Sequence, residues 1–170
     1  MQLANLIKLA SYTGARIEEL CSIGVADVDL AQRSIKITVS KTSAGIRTIP
    51  IHTALIDLVT GLATTSTDSY LISGLTFNKY GDRSNAIGKR FGRLKLALKF
   101  GRQHVFHSIR KTVTTQLENA GVPENVAADI LGHDKPTMTY GLYSGGSSLT
   151  TMHAAIAKLR YDFHHSNSPQ

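Results

Sequence analysis

The spacing of apolar residues predicts a chain built mostly from helices. Near the N-terminus, Leu3, Leu6, Ile7 and Ala10 recur at helical intervals, and the pattern stops at Gly14. Comparable patterns follow, each bounded by a turn or capping residue. They predict helices from near Arg16, from Thr53 to Val59, from Ser84 to Phe100, from His107 to Asn119, from Pro123 to Leu131 and from Leu149 to Leu159.

A different pattern, with a period of two, occupies the segment between the second and third of these helices. Apolar and polar residues alternate over 35–39 and again over 49–51, and the turn-rich segment 40–45, which contains Lys41, joins the two runs. Residues 25–30 read as a turn leading into a further strand. The sequence therefore predicts an α+β fold, mainly α-helical with a small antiparallel β-sheet near the N-terminus.

Composition narrows the class of protein. With 170 residues, 42% of them hydrophobic and 18% charged, the chain suits one compact domain with a sizeable core. The sequence has no apolar stretch long enough for a membrane span, and its opening residues lack a signal-peptide pattern. The single cysteine, Cys21, cannot form an internal disulfide and is expected to be a buried thiol. A reducing cytoplasm and no membrane partner are expected.

The positive charge is concentrated in the middle of the chain. The formal net charge is +7, and the segment from Lys79 to Lys111 holds ten basic residues and one acidic residue, Asp82. Such a concentration predicts a polyanionic partner, with an affinity that falls as salt rises. In the helix predicted over 84–100, the basic residues lie largely away from an apolar stripe of Ile87, Phe91, Leu94 and Leu98. The predicted DNA-contacting residues are Lys79, Arg83, Lys89, Arg90 and Arg93.

Side chains suited to phosphate chemistry also recur along the chain. His107 and Arg110 lie three positions apart, so on a helix they share a face, and His133 follows a glycine expected to end a helix. Arginines bind phosphate oxygens, imidazoles transfer protons, and a phenol such as Tyr143 can act as a covalent nucleophile. With Arg16 far upstream, this set predicts phosphoryl transfer on a nucleic acid. An alternative for Arg16 is a simple ion pair with Glu19, and no cysteine or histidine spacing supports a zinc site.

These residues resemble the motifs of the tyrosine recombinase (phage integrase) family. The resemblance covers roughly residues 3–150, the catalytic domain of that family. It rests on Thr13-Gly14-Ala15-Arg16-Ile17-Glu18-Glu19-Leu20, Ser40-Lys41-Thr42, His107-Ser108-Ile109-Arg110, Leu131-Gly132-His133 and Thr139-Tyr140-Gly141-Leu142-Tyr143-Ser144.

The resemblance implies a mechanism on these positions. Arg16 and Arg110 would bind the non-bridging oxygens of the scissile phosphate, and Tyr143 would attack to leave a 3′-phosphotyrosine and a free 5′-hydroxyl. His107 would serve as the base, His133 would hydrogen-bond to a phosphate oxygen, and Lys41 would protonate the departing oxygen. No metal or other cofactor is expected.

The nucleophile has an alternative. Tyr140 and Tyr143 follow His133 by seven and ten positions, whereas many family members place the tyrosine nine positions after this histidine. Tyr143 is nearer to that spacing and is followed by Ser144, as in family members that end the motif in Tyr-Ser. Tyr143 is therefore the predicted nucleophile, with Tyr140 as the second candidate.

The resemblance also implies a domain organisation and partners. Residues 1–148 would form the catalytic domain and 149–170 a C-terminal tail whose helix packs in cis or on a neighbouring subunit. The family's N-terminal DNA-clamping domain is absent from this sequence. The expected partners are double-stranded DNA in a bacterial host cell, further subunits in a tetramer on DNA, and accessory DNA-bending proteins. The alternative function is a non-catalytic helix-turn-helix module over Leu117 to Met138.

Overall fold

A computed structural model describes residues 1–133 and 145–163. Its helices and strands follow the order predicted from the sequence, with a three-stranded sheet between the second and third helices. The helices are α1 (Gln2–Thr13), α2 (Ile17–Cys21), α3 (Ile56–Thr65), α4 (Asn85–Ala97), α5 (His107–Asn119), α6 (Glu124–Leu131) and α7 (Leu149–Ile156), and the strands are β1 (Val28–Asp29), β2 (Ser34–Ile37) and β3 (Arg47–Pro50).

The first helix lies at the centre of the core. Leu6 and Leu9 of α1 have no exposed surface, and α1 packs along α5 and against α2. Val113 and Leu117 of α5 are likewise fully buried. Burying an aliphatic side chain of this size stabilises the fold by about 1.5–3 kcal/mol. The C-terminal end of α1, where Arg16 follows, is therefore fixed against α5, which carries His107 and Arg110.

The sheet confirms the predicted α+β class. β2 pairs antiparallel with β1, with Val28 opposite Ile35, and with β3, with Ile37 opposite Arg47. The strand predicted to reach Val39 ends at Ile37 instead. Val39 is half exposed, because the chain leaves the sheet there and begins the loop that carries Lys41.

The basic helix departs from its predicted apolar stripe. Ile87 of α4 is fully buried and Phe91 is partly buried, but Leu94 and Leu98 are 37% and 60% exposed. The predicted stripe thus faces the core over the first half of α4 alone. Beyond it, Leu94 and Leu98 line an apolar depression with Phe100, Val105 and Ile109, which cover them only in part.

The C-terminal helix packs on its own chain. α7 contacts α6 and β3, and Met152, Ala155 and Ile156 are buried there. Within the described residues, no helix has the length and apolar character needed to cross a bilayer.

The segment proposed as a helix-turn-helix contains two helices joined by a short turn at Gly121. Its second helix, α6, buries Val126, Ile130 and Leu131 and carries no basic residue, while it includes Glu124 and Asp129. A recognition helix places basic or polar side chains against DNA. The composition and burial of α6 therefore disfavour this alternative; the last part of the predicted segment, residues 134–138, lies outside the described residues.

Candidate active site

A glycine with no space for a side chain brings the two predicted arginines together. Gly14 ends α1 with a φ of 62°, a conformation that favours glycine. A Cβ at this position would collide with Leu131 and would approach Val113 Cγ1 to 3.2 Å. This close packing lets Arg110 Nη1 donate a hydrogen bond of 2.8 Å to the Gly14 carbonyl, two residues before Arg16.

Arg16 lies at the N-terminal cap of α2, where its backbone is extended. Its Nη1 donates to Glu19 Oε1 at 2.6 Å, and its Nη2 lies 3.4 Å from the carbonyl oxygen of Gly132. The ion pair weighed as an alternative for Arg16 is thus present. It leaves 31% of the arginine side chain exposed, so the pair orients the guanidinium without covering it.

Among the predicted catalytic residues that the structure describes, Arg110 is the most deeply buried cation, with 3% of its surface exposed. Burial, together with the charges of Arg16 and Arg47, lowers its pKa to about 10 against the opposing effect of Glu19, so the side chain remains charged at neutral pH. Its Nη2 is buried and has no hydrogen-bond partner among the described residues. A buried donor left unpaired costs about 1–3 kcal/mol, and more when it is charged. An anion bound here would remove that cost.

Glu19 accepts hydrogen bonds from three side chains of this site, those of Arg16, Ser40 and Arg47. Only 2% of it is exposed. In addition to the bonds from Arg16, its Oε1 accepts from Ser40 Oγ at 2.8 Å and its Oε2 lies 3.2 Å from Arg47 Nη2. Burial alone would raise its pKa, but the Arg47 charge and the hydrogen bonds from Arg16 and Ser40 lower it to about 2. Glu19 therefore holds a fixed negative charge beneath the arginines.

Arg47 is a residue of this site that the sequence analysis missed. Its Nε donates to the carbonyl of Ile130 at 2.7 Å and its Nη1 to that of Gly45 at 2.6 Å, so it joins β3 to the C-terminal end of α6. Because every one of its guanidinium nitrogens has a protein partner, its role is to fix the site. Its position at the start of the strand that returns from the Lys41 loop was the available signal.

The two histidines lie at helix ends that face this cluster. His107 is the first residue of α5, and His133 follows Gly132, which ends α6 with a φ of 70°. Burial and the charge of Arg110 are the largest causes of a lowered pKa in both rings, and Arg16 contributes to each. Both imidazoles are therefore neutral at neutral pH and available as acceptors.

Lys41 lies exposed in the loop between β2 and β3. The loop is bound to the cluster on both sides of Lys41. Ser40 Oγ donates to Glu19 before it, and the Gly45 carbonyl accepts from Arg47 Nη1 after it. A Cβ on Gly45 would collide with Ser40 and would lie 3.3 Å from Arg16 Nη1. Five of the six predicted catalytic residues thus belong to one region; the sixth, Tyr143, and its alternative, Tyr140, lie outside the described residues.

Comparison with known proteins identifies the family of this chain. Residues 1–146 match the sequence model of the Phage integrase family. The chain belongs to the phage integrase family. It is 26% identical over 165 residues to the tyrosine recombinase XerC of Mycobacterium bovis (strain BCG / Pasteur 1173P2). The aligned region covers 91% of this chain and 50% of that relative.

Solved structures show the same fold. The integrase of mycobacterium phage Brujita superposes with a TM-score of 0.69 at 19% identity, over 94% of this chain and 52% of the integrase. The Tn1549 transposon integrase, in complex with circular intermediate DNA, gives a TM-score of 0.64 at 22% identity, over 90% of this chain and 56% of that integrase. The chain thus spans about half the length of the relatives it matches.

The predicted DNA-contacting residues of this integrase-family chain divide into two groups. Lys79, Lys89 and Arg93 are exposed, and Arg90, half-buried, donates to Gln2 Oε1 at 2.7 Å. The fifth residue differs.

Arg83 is 2% exposed and lies with its guanidinium 3.5 Å from the centre of the Tyr70 ring. Its Nε donates to the Cys21 carbonyl at 2.9 Å and its Nη2 to that of Ile72 at 3.2 Å. The prediction that Arg83 contacts DNA is therefore wrong for this conformation, because a guanidinium that is buried and bonded inside the protein cannot reach a DNA phosphate.

The described part of the chain ends at His133 and resumes at Gly145. Close to Gly145, Asp129 Oδ2 on α6 accepts from the backbone N–H of Ser147 at 2.8 Å and from its hydroxyl at 2.7 Å. His133 follows the end of α6 and Ser147 binds Asp129 on α6, so described residues close to both sides of 134–144 lie at this helix. No group of three or more histidine, cysteine, aspartate or glutamate side chains within residues 1–133 and 145–163 is placed to hold a metal ion.

Proposed function

We propose that this chain is the catalytic domain of a site-specific DNA recombinase that cleaves and rejoins strands through a 3′-phosphotyrosine. The observation that carries the proposal is the buried, unpartnered Nη2 of Arg110, close to the partly exposed Arg16 and two neutral imidazoles. Such a site can supply several hydrogen bonds to an anion. Membership of the phage integrase family supports a DNA phosphodiester as that anion.

Arg16 and Arg110 bind the two non-bridging oxygens of the scissile phosphate. Negative charge grows on these oxygens as the phosphorus becomes five-coordinate, and permanently charged guanidinium groups stabilise it. Glu19 orients Arg16, and the Gly14 carbonyl orients Arg110, so little rearrangement is needed when the phosphate arrives.

Tyr143 is the nucleophile of the proposal, with Tyr140 as its alternative. The phenol oxygen forms a bond to phosphorus as the bond from phosphorus to the 5′-oxygen breaks. His107 takes the phenol proton, a role that its neutral imidazole at neutral pH supports. His133 donates to a phosphate oxygen, and Lys41 gives a proton to the departing 5′-oxygen from its loop above the site. Rejoining reverses these steps.

The reaction needs neither a metal ion nor ATP in this proposal. Two arginines supply the positive charge that a metal would bring, and the phosphotyrosine bond conserves the energy of the phosphodiester. DNA is the partner, contacted through exposed basic residues that include Lys89 and Arg93 on α4. A longer protein containing this domain would assemble as a tetramer on DNA, together with accessory DNA-bending proteins, and integrate or excise a mobile element.

Residues 1–148 form the catalytic unit of this proposal, and 149–170 form its tail. In this structure α7 lies on its own chain, where Met152 and Ile156 are buried. On DNA the same helix is proposed to exchange onto a neighbouring subunit. A protein that stays monomeric on DNA with α7 docked in cis would contradict this exchange.

A nicked suicide DNA substrate tests the proposed function. After strand cleavage, the short fragment beyond the nick diffuses away, and the protein stays bound to the DNA. A band that resists denaturation and disappears on protease treatment is the expected result, with Arg110→Ala giving none and Arg160→Ala, a change at an exposed site, giving the wild-type yield. DNA retention without a covalent band, in this chain and in a longer protein containing it, would instead support the non-catalytic alternative.

A further inference from the structure

The N-terminal end of the basic helix α4 is held by a carboxylate from a different helix. Glu18 of α2 accepts hydrogen bonds from the backbone N–H of Arg83 at 2.9 Å and from that of Ser84 at 2.8 Å. Ser84, the N-cap residue of α4, makes no side-chain capping bond itself. Glu18 therefore takes the place of the missing local cap.

Further contacts join the same two helices. Arg83, two residues before α4, donates from its guanidinium to the carbonyl of Cys21, the last residue of α2, so a second bond joins the end of α2 to the start of α4. At Gly88, one turn into α4, an added Cβ would lie 3.6 Å from Ile17 Cδ1, which shows how closely the helices approach. α2 and the first turn of α4 thus form one connected unit.

The same short helix carries the group that organises the active site. Glu19, the neighbour of Glu18, binds Arg16, Ser40 and Arg47. Two adjacent carboxylates therefore fix two different phosphate-binding regions to α2, which is five residues long. One region contains Arg16, and the other is the exposed basic face of α4.

We propose that Glu18 is a positioning residue that sets the distance between the basic face of α4 and Arg16. Lys89 and Arg93, four positions apart on α4 and both exposed, then meet DNA phosphates at a fixed offset from the scissile phosphate. This inference rests on the proposed function. It assigns to Glu18 no contact with DNA and no part in the chemistry.

The charge of Glu18 suits this role. Burial alone would raise its pKa, but hydrogen bonds from Ser84, Arg83 and Ser22 lower it below the ordinary value, so the carboxylate is ionised at neutral pH. An anion at a helix N-terminus is stabilised by the helix dipole, and the effect is confined to the first turn. Glu18→Gln keeps the shape of the side chain but removes the charge and replaces one acceptor by a donor.

The test is a double-mutant cycle between Glu18→Gln and Lys89→Ala on duplex DNA of fixed sequence. In the native background, Lys89→Ala should lower the slope of log affinity against log salt by about 1, the value expected for one lost phosphate contact. In the Glu18→Gln background, the same Lys89→Ala change should lower the slope by less than half of that amount, because α4 no longer holds Lys89 at its phosphate. Asp57→Asn, at an exposed acid in the first turn of α3, is the matched control and should leave the slope unchanged.

Cleavage at saturating DNA supplies the second measurement. Glu18→Gln should slow formation of the covalent complex there by about tenfold, since the scissile phosphate is held out of register with Arg16. A purely structural role would change thermal stability but would leave the Lys89→Ala slopes equal in the two backgrounds. Ser22→Ala, which removes one donor to the same carboxylate, provides a milder variant if Glu18→Gln melts below the assay temperature.

Equal slopes in the two backgrounds, with an unchanged rate at saturating DNA, would overturn the positioning role while leaving the proposed function standing. Failure of the proposed function is recognised separately, because the unmutated protein would then form no covalent complex.

Discussion

Glu19 and Arg47, twenty-eight positions apart, form an ion pair with 3.2 Å between Oε2 and Nη2, and their side chains are 2% and 7% exposed. The pair joins α2 to β3 beneath the proposed phosphate site. Removing one partner of a buried pair leaves the other as an uncompensated buried charge, which costs about 3–5 kcal/mol. The position of Arg16 therefore depends on a contact that involves neither DNA nor the chemistry.

Glu19→Gln should destabilise the protein in a manner that depends on pH. The carboxylate has a folded pKa of about 2 against an ordinary 4.5, so its ionisation contributes about 3 kcal/mol of stability above pH 4.5, which is lost as the pH falls toward 2. Urea unfolding at pH 7 and at pH 3 should therefore show a smaller effect of the mutation at pH 3. Glu124→Gln, at an exposed acid, should change stability by less than about 0.5 kcal/mol at both pH values. An equal cost of Glu19→Gln at pH 7 and pH 3 would contradict the assigned ionisation.

The order of elements was predictable because it depends on local patterns. Helical spacing and the glycines at 14, 121 and 132 located most helix ends, and alternation located the hairpin. Arg16, His107, Arg110 and His133 were predictable as a set because each belongs to a recognisable motif.

What could not be predicted depends on contacts between distant segments. Arg83 lies in a basic stretch, yet the Tyr70 ring and the Cys21 carbonyl hold it inside the protein. Arg47 lies outside every motif, and its role arises from Glu19 and Ile130. Exposure of Leu94 and Leu98 likewise depends on which elements cover α4, and helical periodicity carries no information about that.

Arg110→Lys should abolish most activity while retaining the charge. The arginine uses Nη1 for the Gly14 carbonyl and leaves Nη2 for the phosphate, whereas a lysine ammonium on a shorter stem cannot reach both. Losing an arginine that stabilises phosphoryl transfer costs about 10³–10⁵ in rate. Single-turnover formation of the covalent complex measures this loss, and Arg160→Lys serves as the control. A loss below about tenfold for Arg110→Lys would show that charge alone suffices.

The rate of cleavage at subsaturating DNA should stay high below pH 6.5. This rate reports ionisations of the free protein, in which burial and the charge of Arg110 lower the pKa of His107 and His133. The His107 ring must be neutral to accept the phenol proton, so protonation should reduce the rate only at a pH below the ordinary histidine pKa of 6.5. A pH series from 5 to 8 measures it. A half-maximal rate at or above pH 6.5 would contradict the role of a neutral His107.

Gly45→Ala should slow cleavage more than it weakens DNA binding. The added methyl group would collide with Ser40 and crowd Arg16, and so displace the loop that carries Lys41. The expected loss is on the order of a hundredfold in the single-turnover rate, typical of a misplacement of about 1 Å near a reacting group. Gly61→Ala, in α3 with nothing within 4 Å of the added carbon, should leave the rate unchanged and stabilise the helix by up to about 1 kcal/mol. A wild-type rate for Gly45→Ala would show that the position of this loop does not matter for cleavage.

The central claim is that a tyrosine of this chain becomes covalently joined to the 3′ end of a DNA strand. The covalent complex formed on the nicked substrate can be digested with nuclease and protease, and fragmentation mass spectrometry then locates the remaining nucleotide on the peptide. The proposed mechanism predicts a nucleotide on Tyr143, and Tyr143→Phe should form no complex. A nucleotide on Tyr140 would transfer the role to that residue, whereas a complex linked through any side chain other than a tyrosine would contradict the mechanism.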